Sequence, residues 1–264
     1  MNSSQETLRG LATEVLSQAS PTKKITKSFE VANKWLMDNI PIGDSSPPRE
    51  PGRPDLPILC SPRAMPKRST GTKGRIALIH AITHIEFNAI NLAWDIIARF
   101  SHASLNRAYY DDWVKVAIDE TNHFQLLSNR LLQLNSSYGE LPAHNGLWEA
   151  AKDTSNDLLA RLAVVPMTLE ARALDTAVGT ANRLQSAGDH ETARILDIVY
   201  RDEIKHVAVG CKWFKLICKT IYKNPVSEYK RLVRTNYRGA LRGPFNYTAR
   251  NLAGFTADFF DWKE

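Results

Sequence analysis

The feature that most limits what this chain can fold into is a pattern that occurs twice at nearly equal spacing. Glu86, in the run His84-Ile85-Glu86-Phe87-Asn88-Ala89, is followed 34 residues later by Glu120-Thr121-Asn122-His123. Glu170, in Met167-Thr168-Leu169-Glu170-Ala171-Arg172, is followed 33 residues later by Glu203-Ile204-Lys205-His206. On a helix, positions i and i+3 share a face, so each ExxH brings a carboxylate and an imidazole within reach of one ion. Chance supplies about 0.3 such pairs to a chain with this many glutamates and histidines, and it does not supply the matched upstream glutamates. Taken singly, each glutamate reads equally well as part of a solvated face or a buried ion pair. Taken together, four inward carboxylates are costly to bury unless cations cancel them.

Helical periodicity and breakers place these residues. Long helices are predicted from about Lys73 to Phe100, Tyr109 to Leu134, Asp157 to Ala187 and Glu191 to Tyr222. Gly188-Asp189 breaks the third from the fourth, and Asn224-Pro225 ends the fourth. A loop of roughly twenty residues, rich in Asn, Gly, Ser and Pro, joins the second to the third. Two helix pairs with short turns and one long connection give the crossover topology of ferritin-like bundles. Before them, Ser3-Ser4-Gln5-Glu6 resembles a capping box for a short helix, and Ser20-Pro21 opens a helix to about Met37. Eight of the thirteen prolines then fall between Pro41 and Pro66, a strap of irregular or polyproline chain. Short helices are expected at 226–237 and 246–262.

The expected fold is therefore all-α: a four-helix bundle with a long crossover, N-terminal helices, a proline-rich strap and short C-terminal helices. The expected parts are 1–66, helices and strap; 67–223, the metal-binding bundle; and 224–264, a basic helical extension. The expected metal ligands are Glu86, Glu120, His123, Glu170, Glu203 and His206, the set used by carboxylate-bridged di-iron and di-manganese bundles. The cofactor would be two transition-metal ions, iron ahead of manganese, since oxygen and nitrogen donors suit both.

Other residues near this set carry expectations of their own. Asp119 and Asp202 each stand one residue before an ExxH glutamate, where a carboxylate can accept the second N–H of a bound imidazole. Either is also readable as a surface aspartate. Tyr200, one turn before Glu203, is a candidate for facing the metals and also a plain core tyrosine. Trp113 reads as core. His80 and His84 lie off the ligand stripe and read as capping or supporting groups. Ala89, Ala173 and Ala177 are small residues on the ligand faces, leaving room for dioxygen or substrate. Pro166, four residues before Glu170, frees a carbonyl and bends the helix there.

Composition bounds the rest. No secretory leader is apparent in MNSSQETLRG, and no apolar run suggests a membrane span. Cys60, Cys211 and Cys218 form no framework and read as buried free thiols, which suits a reducing cytoplasm. The sequon at Asn246-Tyr247-Thr248 reads as chance. The net charge is +6, and the excess concentrates at Lys219, Lys223, Lys230, Arg231, Arg234, Arg238, Arg242 and Arg250, against Glu228 alone. That segment, 219–250, is a solvated basic face, one that pairs with acids elsewhere in the fold, or a surface for RNA phosphates.

The chain resembles the ferritin-like domain-of-unknown-function family 455 over nearly its whole length. The likeness rests on Pro51-Gly52-Arg53-Pro54, His80-Ala81-Ile82-Thr83-His84-Ile85-Glu86, Asp119-Glu120 with His123-Phe124, and Ala143-His144-Asn145-Gly146-Leu147-Trp148. It continues with Leu169-Glu170-Ala171-Arg172-Ala173-Leu174-Asp175, Asp202-Glu203 with His206-Val207, and Pro244-Phe245-Asn246. The resemblance implies fold and metal binding. By analogy with related di-metal bundles, Glu120 and Glu203 would bridge the ions and Glu86 and Glu170 would be terminal ligands.

Several functions use such a site. The leading expectation is an oxygen-activating oxidoreductase or hydroxylase with a small-molecule substrate and an electron donor, both unidentified. Iron storage fits less well, because the prolines and basic tail are unlike a cage-forming subunit. A third reading is an RNA- or protein-binding factor with a structural metal site, including a tRNA-hydroxylase-like role.

Overall fold

Apolar periodicity in this chain is helical throughout, and the computed structural model is all-α. Its described residues are 6–69, 71–101 and 105–262, and they contain no strand, only an isolated bridge between Leu59 and Ala143. The chain divides into two compact units, Met1–Asn145 and Gly146–Glu264.

The first unit is built on α3 (Thr72–Arg99) and α4 (Arg107–Gln133), which pack along their lengths. Helix α1 (Leu8–Ser17) lies on α3, and α2 (Pro21–Met37) lies on α4. Thr7 caps α1 through Gly10 N–H; the capping box read at Ser3-Ser4-Gln5-Glu6 falls mostly outside the described residues. Ser20 caps α2, with Pro21 in its first turn. By length and composition α3 could cross a membrane, which the sequence reading did not anticipate. Yet 78% of its most apolar stretch is buried inside the protein.

The proline strap is a wrapping element, held by hydrogen bonds. The first two N–H groups of α1 donate to the Pro41 and Ile42 carbonyls, replacing the partners a helix start lacks. Gly52 N–H donates to Leu16 O, and a Cβ at Gly52 would stand 2.3 Å from the Ser17 carbonyl oxygen, so this approach requires glycine. At the other end of α3, the Ala98 carbonyl accepts from buried Arg9 and from Ser45. Cations at a helix C-terminus also oppose its dipole.

Lys24 is fully buried in this unit. Its Nζ donates to Val15 O, Leu16 O and Asn91 Oδ1, so its three N–H groups close the end of α1. Burial pulls its pKa down to about 7, against three acceptors that favour the charged form.

In the second unit, α7 (Ala171–Ser186) and α8 (His190–Thr220) form an antiparallel hairpin. Gly188 takes φ +81 at the turn, and Asp189 caps α8. Before α7 come α5 (Gly146–Asp153) and α6 (Leu158–Val164). The first occupies part of the stretch expected to be loop, its Trp148 and Ala151 buried. Helices α9 (Pro225–Asn236), α10 (Tyr247–Leu252) and α11 (Ala257–Phe260) complete the unit.

Candidate metal centre

The first Glu/ExxH set converges inside the first unit. Glu86 on α3 and Glu120 and His123 on α4 are all buried, and their ligand atoms lie within 4.8 Å of one another. His123 Nδ1 stands 3.5 Å from Glu86 Oε2 and 3.4 Å from Glu120 Oε2. Burial, then the neighbouring Glu120 charge, pushes the Glu86 carboxyl up to about 7. Burial alone would favour neutral His123, but the two carboxylates outweigh it and raise its pKa. Two carboxylates and an imidazole, close-set and enclosed, are a donor set that suits a transition metal.

The second set is arranged on the second unit. Glu203 and His206 are buried on α8, with His206 Nδ1 3.8 Å from Glu203 Oε2. Glu170 is half-buried and ends a π-helical turn, Val165–Glu170. The turn has a visible cause. Pro166 has no N–H to continue the α ladder. Thr168 Oγ1 donates to Ala163 O at 2.7 Å and contacts the Tyr229 hydroxyl at 2.7 Å. Across from it, a Cβ on Gly210 would meet Pro166 Cβ at 2.8 Å, so glycine makes room for the widened turn. Such turns are frequent at functional sites.

The supporting residues sort differently. Tyr200 Oη accepts from Asn246 Nδ2 at 3.1 Å, tying its hydroxyl to the C-terminal extension. Asp202 pairs with Lys205 on its own helix, and Asp119 is half-buried on α4. His80 and His84 cap and brace. His80 Nε2 accepts from Gly139 N–H and Leu141 N–H, while His84 Nδ1 lies 2.9 Å from the Tyr138 hydroxyl and its Nε2 3.0 Å from Asn88 Nδ2. Trp113 and Ala89 are core. Cys211 and Cys218 are buried free thiols, pushed up to about 12 and about 11 chiefly by burial.

Four of the eight cations of the basic segment form ion pairs within the second unit. Lys223 and Arg231 pair with Glu228, and Arg238 with Asp153. Arg250 is wholly buried, surrounded by Phe245, Phe255 and Phe260 and paired with Asp175. Asn246 is not a surface acceptor. It caps α10 and binds Leu174 O, and its own N–H donates to Asp175. The sequence reading missed this Asp175–Asn246–Arg250 lock, although two of its members stood in the motifs Leu169–Asp175 and Pro244–Asn246.

The structure thus defines an all-α protein with a buried glutamate–histidine cluster that could hold metal ions. The chain belongs to the family described as "Protein of unknown function (DUF455)", whose model matches residues 17–261. It is similar to an uncharacterized protein of Haemophilus influenzae (strain ATCC 51907 / DSM 11121 / KW20 / Rd). The two are 39% identical over 215 residues, 79% of this chain and 75% of that protein. No solved structure matches.

Proposed function

We propose that the chain is a ferritin-like dinuclear metal protein that activates dioxygen to oxidise or hydroxylate an organic substrate. In this reading the bundle spans 67–223, and the two Glu/ExxH sets together hold two ions, iron ahead of manganese. Glu86, Glu120, His123, Glu170, Glu203 and His206 would hold them. The observation that carries the reading is the buried convergence of Glu86, Glu120 and His123. The matching order of Glu170, Glu203 and His206 in the sequence extends it to two ions.

Bound iron would supply redox chemistry and open positions for dioxygen. The chain's own residues fix the donors and keep bulk water away. Glu86, Glu120 and His123 are held on two long packed helices, and the π turn sets where Glu170 emerges from its helix. Asp119 and Asp202 are proposed to orient the imidazoles, and Tyr200 is the candidate for a catalytic side chain. An electron donor and a small-molecule substrate complete the scheme. The three free thiols suit a cytoplasmic setting.

The test is stopped-flow mixing of anaerobic iron(II)-loaded protein with oxygenated buffer, read by near-ultraviolet absorption. Oxidation faster than that of free iron(II), lost in Glu203→Ala, supports the reading. Oxidation at the rate of free iron(II), or a Glu203→Ala variant like wild type, refutes it.

A second reading, RNA binding with a structural metal site, rests on what remains of the basic segment. Lys219, Arg234 and Arg242 are exposed and form no ion pair with a described acid. Reversing these three to Glu should abolish RNA binding and its steep salt dependence while leaving metal content unchanged. No binding by wild type at low salt would remove this reading.

A further inference from the structure

A second group of metal-ligating side chains comes together on the proline strap of the first unit. After Cys60 the chain enters a single 3-10 turn, Pro62–Ala64. Met65 N–H closes that turn on Pro62 O at 3.4 Å, which returns the Met65 side chain to Cys60. Cys60 Sγ and Met65 Sδ stand 3.7 Å apart. Cys60 is half-buried, not buried as its sequence suggested, and Met65 is half-buried too.

An imidazole reaches the same place from the chain that follows α4. Ala143 N–H donates to Ile58 O at 3.0 Å, and Cys60 N–H donates to Ala143 O at 2.8 Å, pairing Leu59 with Ala143 in parallel register. Successive side chains of extended chain alternate between faces. Cys60 and His144, each one residue past the bridge, therefore fall on the same side of it. Independently, His144 and Met65 line one open hollow at the surface, together with Pro62, Pro66 and Arg68. Met65 thus touches the thiol and shares the hollow with the imidazole. His144 is exposed, so an ion arrives from solvent without opening the core. An imidazole has two ring nitrogens, and a hydrogen bond at one leaves the other for a metal.

The donor types select the ion. Magnesium, calcium and manganese are suited by oxygen donors, whereas thiolate and thioether together favour copper(I). The thiol releases its proton to solvent as the metal–sulfur bond forms. A copper(I)–thiolate unit carries no net charge, so Arg68, exposed to water at the rim, opposes it little. We propose that Cys60, Met65 and His144 form a solvent-accessible copper(I) site on the strap. It shares no residue with the two Glu/ExxH sets and does not depend on what they hold.

The test is a titration of full-length protein, stripped of metal and with its thiols reduced, against copper(I) buffered anaerobically by the chelator bicinchoninate. X-ray absorption at the copper edge then reads the donors. Wild type is expected to take up copper(I) with both sulfur and nitrogen neighbours, and Cys60→Ser to lose it. Met65→Leu and His144→Gln keep the thiol and should each weaken the affinity about tenfold or more, if soft and imidazole donors share one ion. Binding in both variants equal to wild type would show a thiol acting alone and overturn the site. Copper(I) retained by Cys60→Ser, or a wild-type spectrum without nitrogen, would overturn it as well.

Discussion

Arg250 and Asp175 form a buried two-point ion pair, with Nε 2.9 Å from Oδ1 and Nη2 2.6 Å from Oδ2. Both side chains are at most 2% exposed. The pair ties the last helices to α7 five residues after Glu170, and Arg250 also donates to Ala171 O. Removing one partner leaves a buried charge uncompensated. Arg250→Ala is expected to lose about 3–5 kcal/mol, measured by urea unfolding. A loss below about 1 kcal/mol would mean the pair is not closed in solution.

Gly210 and Gly179 give opposite expectations on neighbouring helices. Gly210→Ala puts a methyl group 2.8 Å from Pro166 and must displace the π turn, costing about 1–3 kcal/mol. Gly179→Ala meets nothing within 4 Å and should stabilise α7 by about 0.5–1 kcal/mol. Thermal unfolding of both variants checks the contrast; equal effects would contradict the packing at Pro166.

Lys24→Met removes the donor that closes α1 and leaves two helix carbonyls and the Asn91 amide oxygen without it. The expected loss is about 2–3 kcal/mol in chemical unfolding. A neutral or stabilising result would show that desolvating the ammonium outweighs its three hydrogen bonds.

The Glu86–His123 cluster should make the metal-free protein lose stability as pH rises, against the opposite slopes of Lys24 and His84, whose pKa values burial lowers to about 7 and about 4. Glu86 is raised from 4.5 to about 7, so across that window the folded state holds proton that the unfolded state has released. His123 is raised as well. Its contribution is complete below the ordinary imidazole range and is lost as pH climbs through its higher folded value. Both slopes are negative. Metal binding displaces these protons, so affinity for manganese(II) should rise over the same range. Melting curves of stripped and manganese-loaded protein between pH 5 and 8 read both effects. A stripped Glu86→Gln variant whose stability follows pH as wild type's does would contradict the raised Glu86 carboxyl.

Much of this was legible in the sequence, for identifiable reasons. The long helices carry strong periodicity and hard stops, so α3 at Thr72–Arg99 and α8 at His190–Thr220 fall within two residues of expectation. The convergence of Glu86, Glu120 and His123 followed from i, i+3 spacing and matched upstream position. Pro166 flagged a bend, but its resolution as a π turn depends on Thr168, Tyr229 and Gly210, which a local reading cannot combine. Pairing of the basic segment with distant acids was one open reading, but the partner of Arg250 could not be named because Asp175 is 75 residues away. Lys24 was silent because two of its acceptors are backbone carbonyls, which carry no sequence signal, and the third, Asn91, is 67 residues away.

If the two Glu/ExxH sets hold two ions, the count can be read directly. Protein stripped of metal and reconstituted anaerobically with iron(II), then desalted, can be weighed intact by native mass spectrometry. Two ions per chain are expected in wild type, with the second lost in Glu203→Ala and loading abolished in Glu86→Ala plus Glu120→Ala. Wild type that takes up one ion or none would contradict the dinuclear centre.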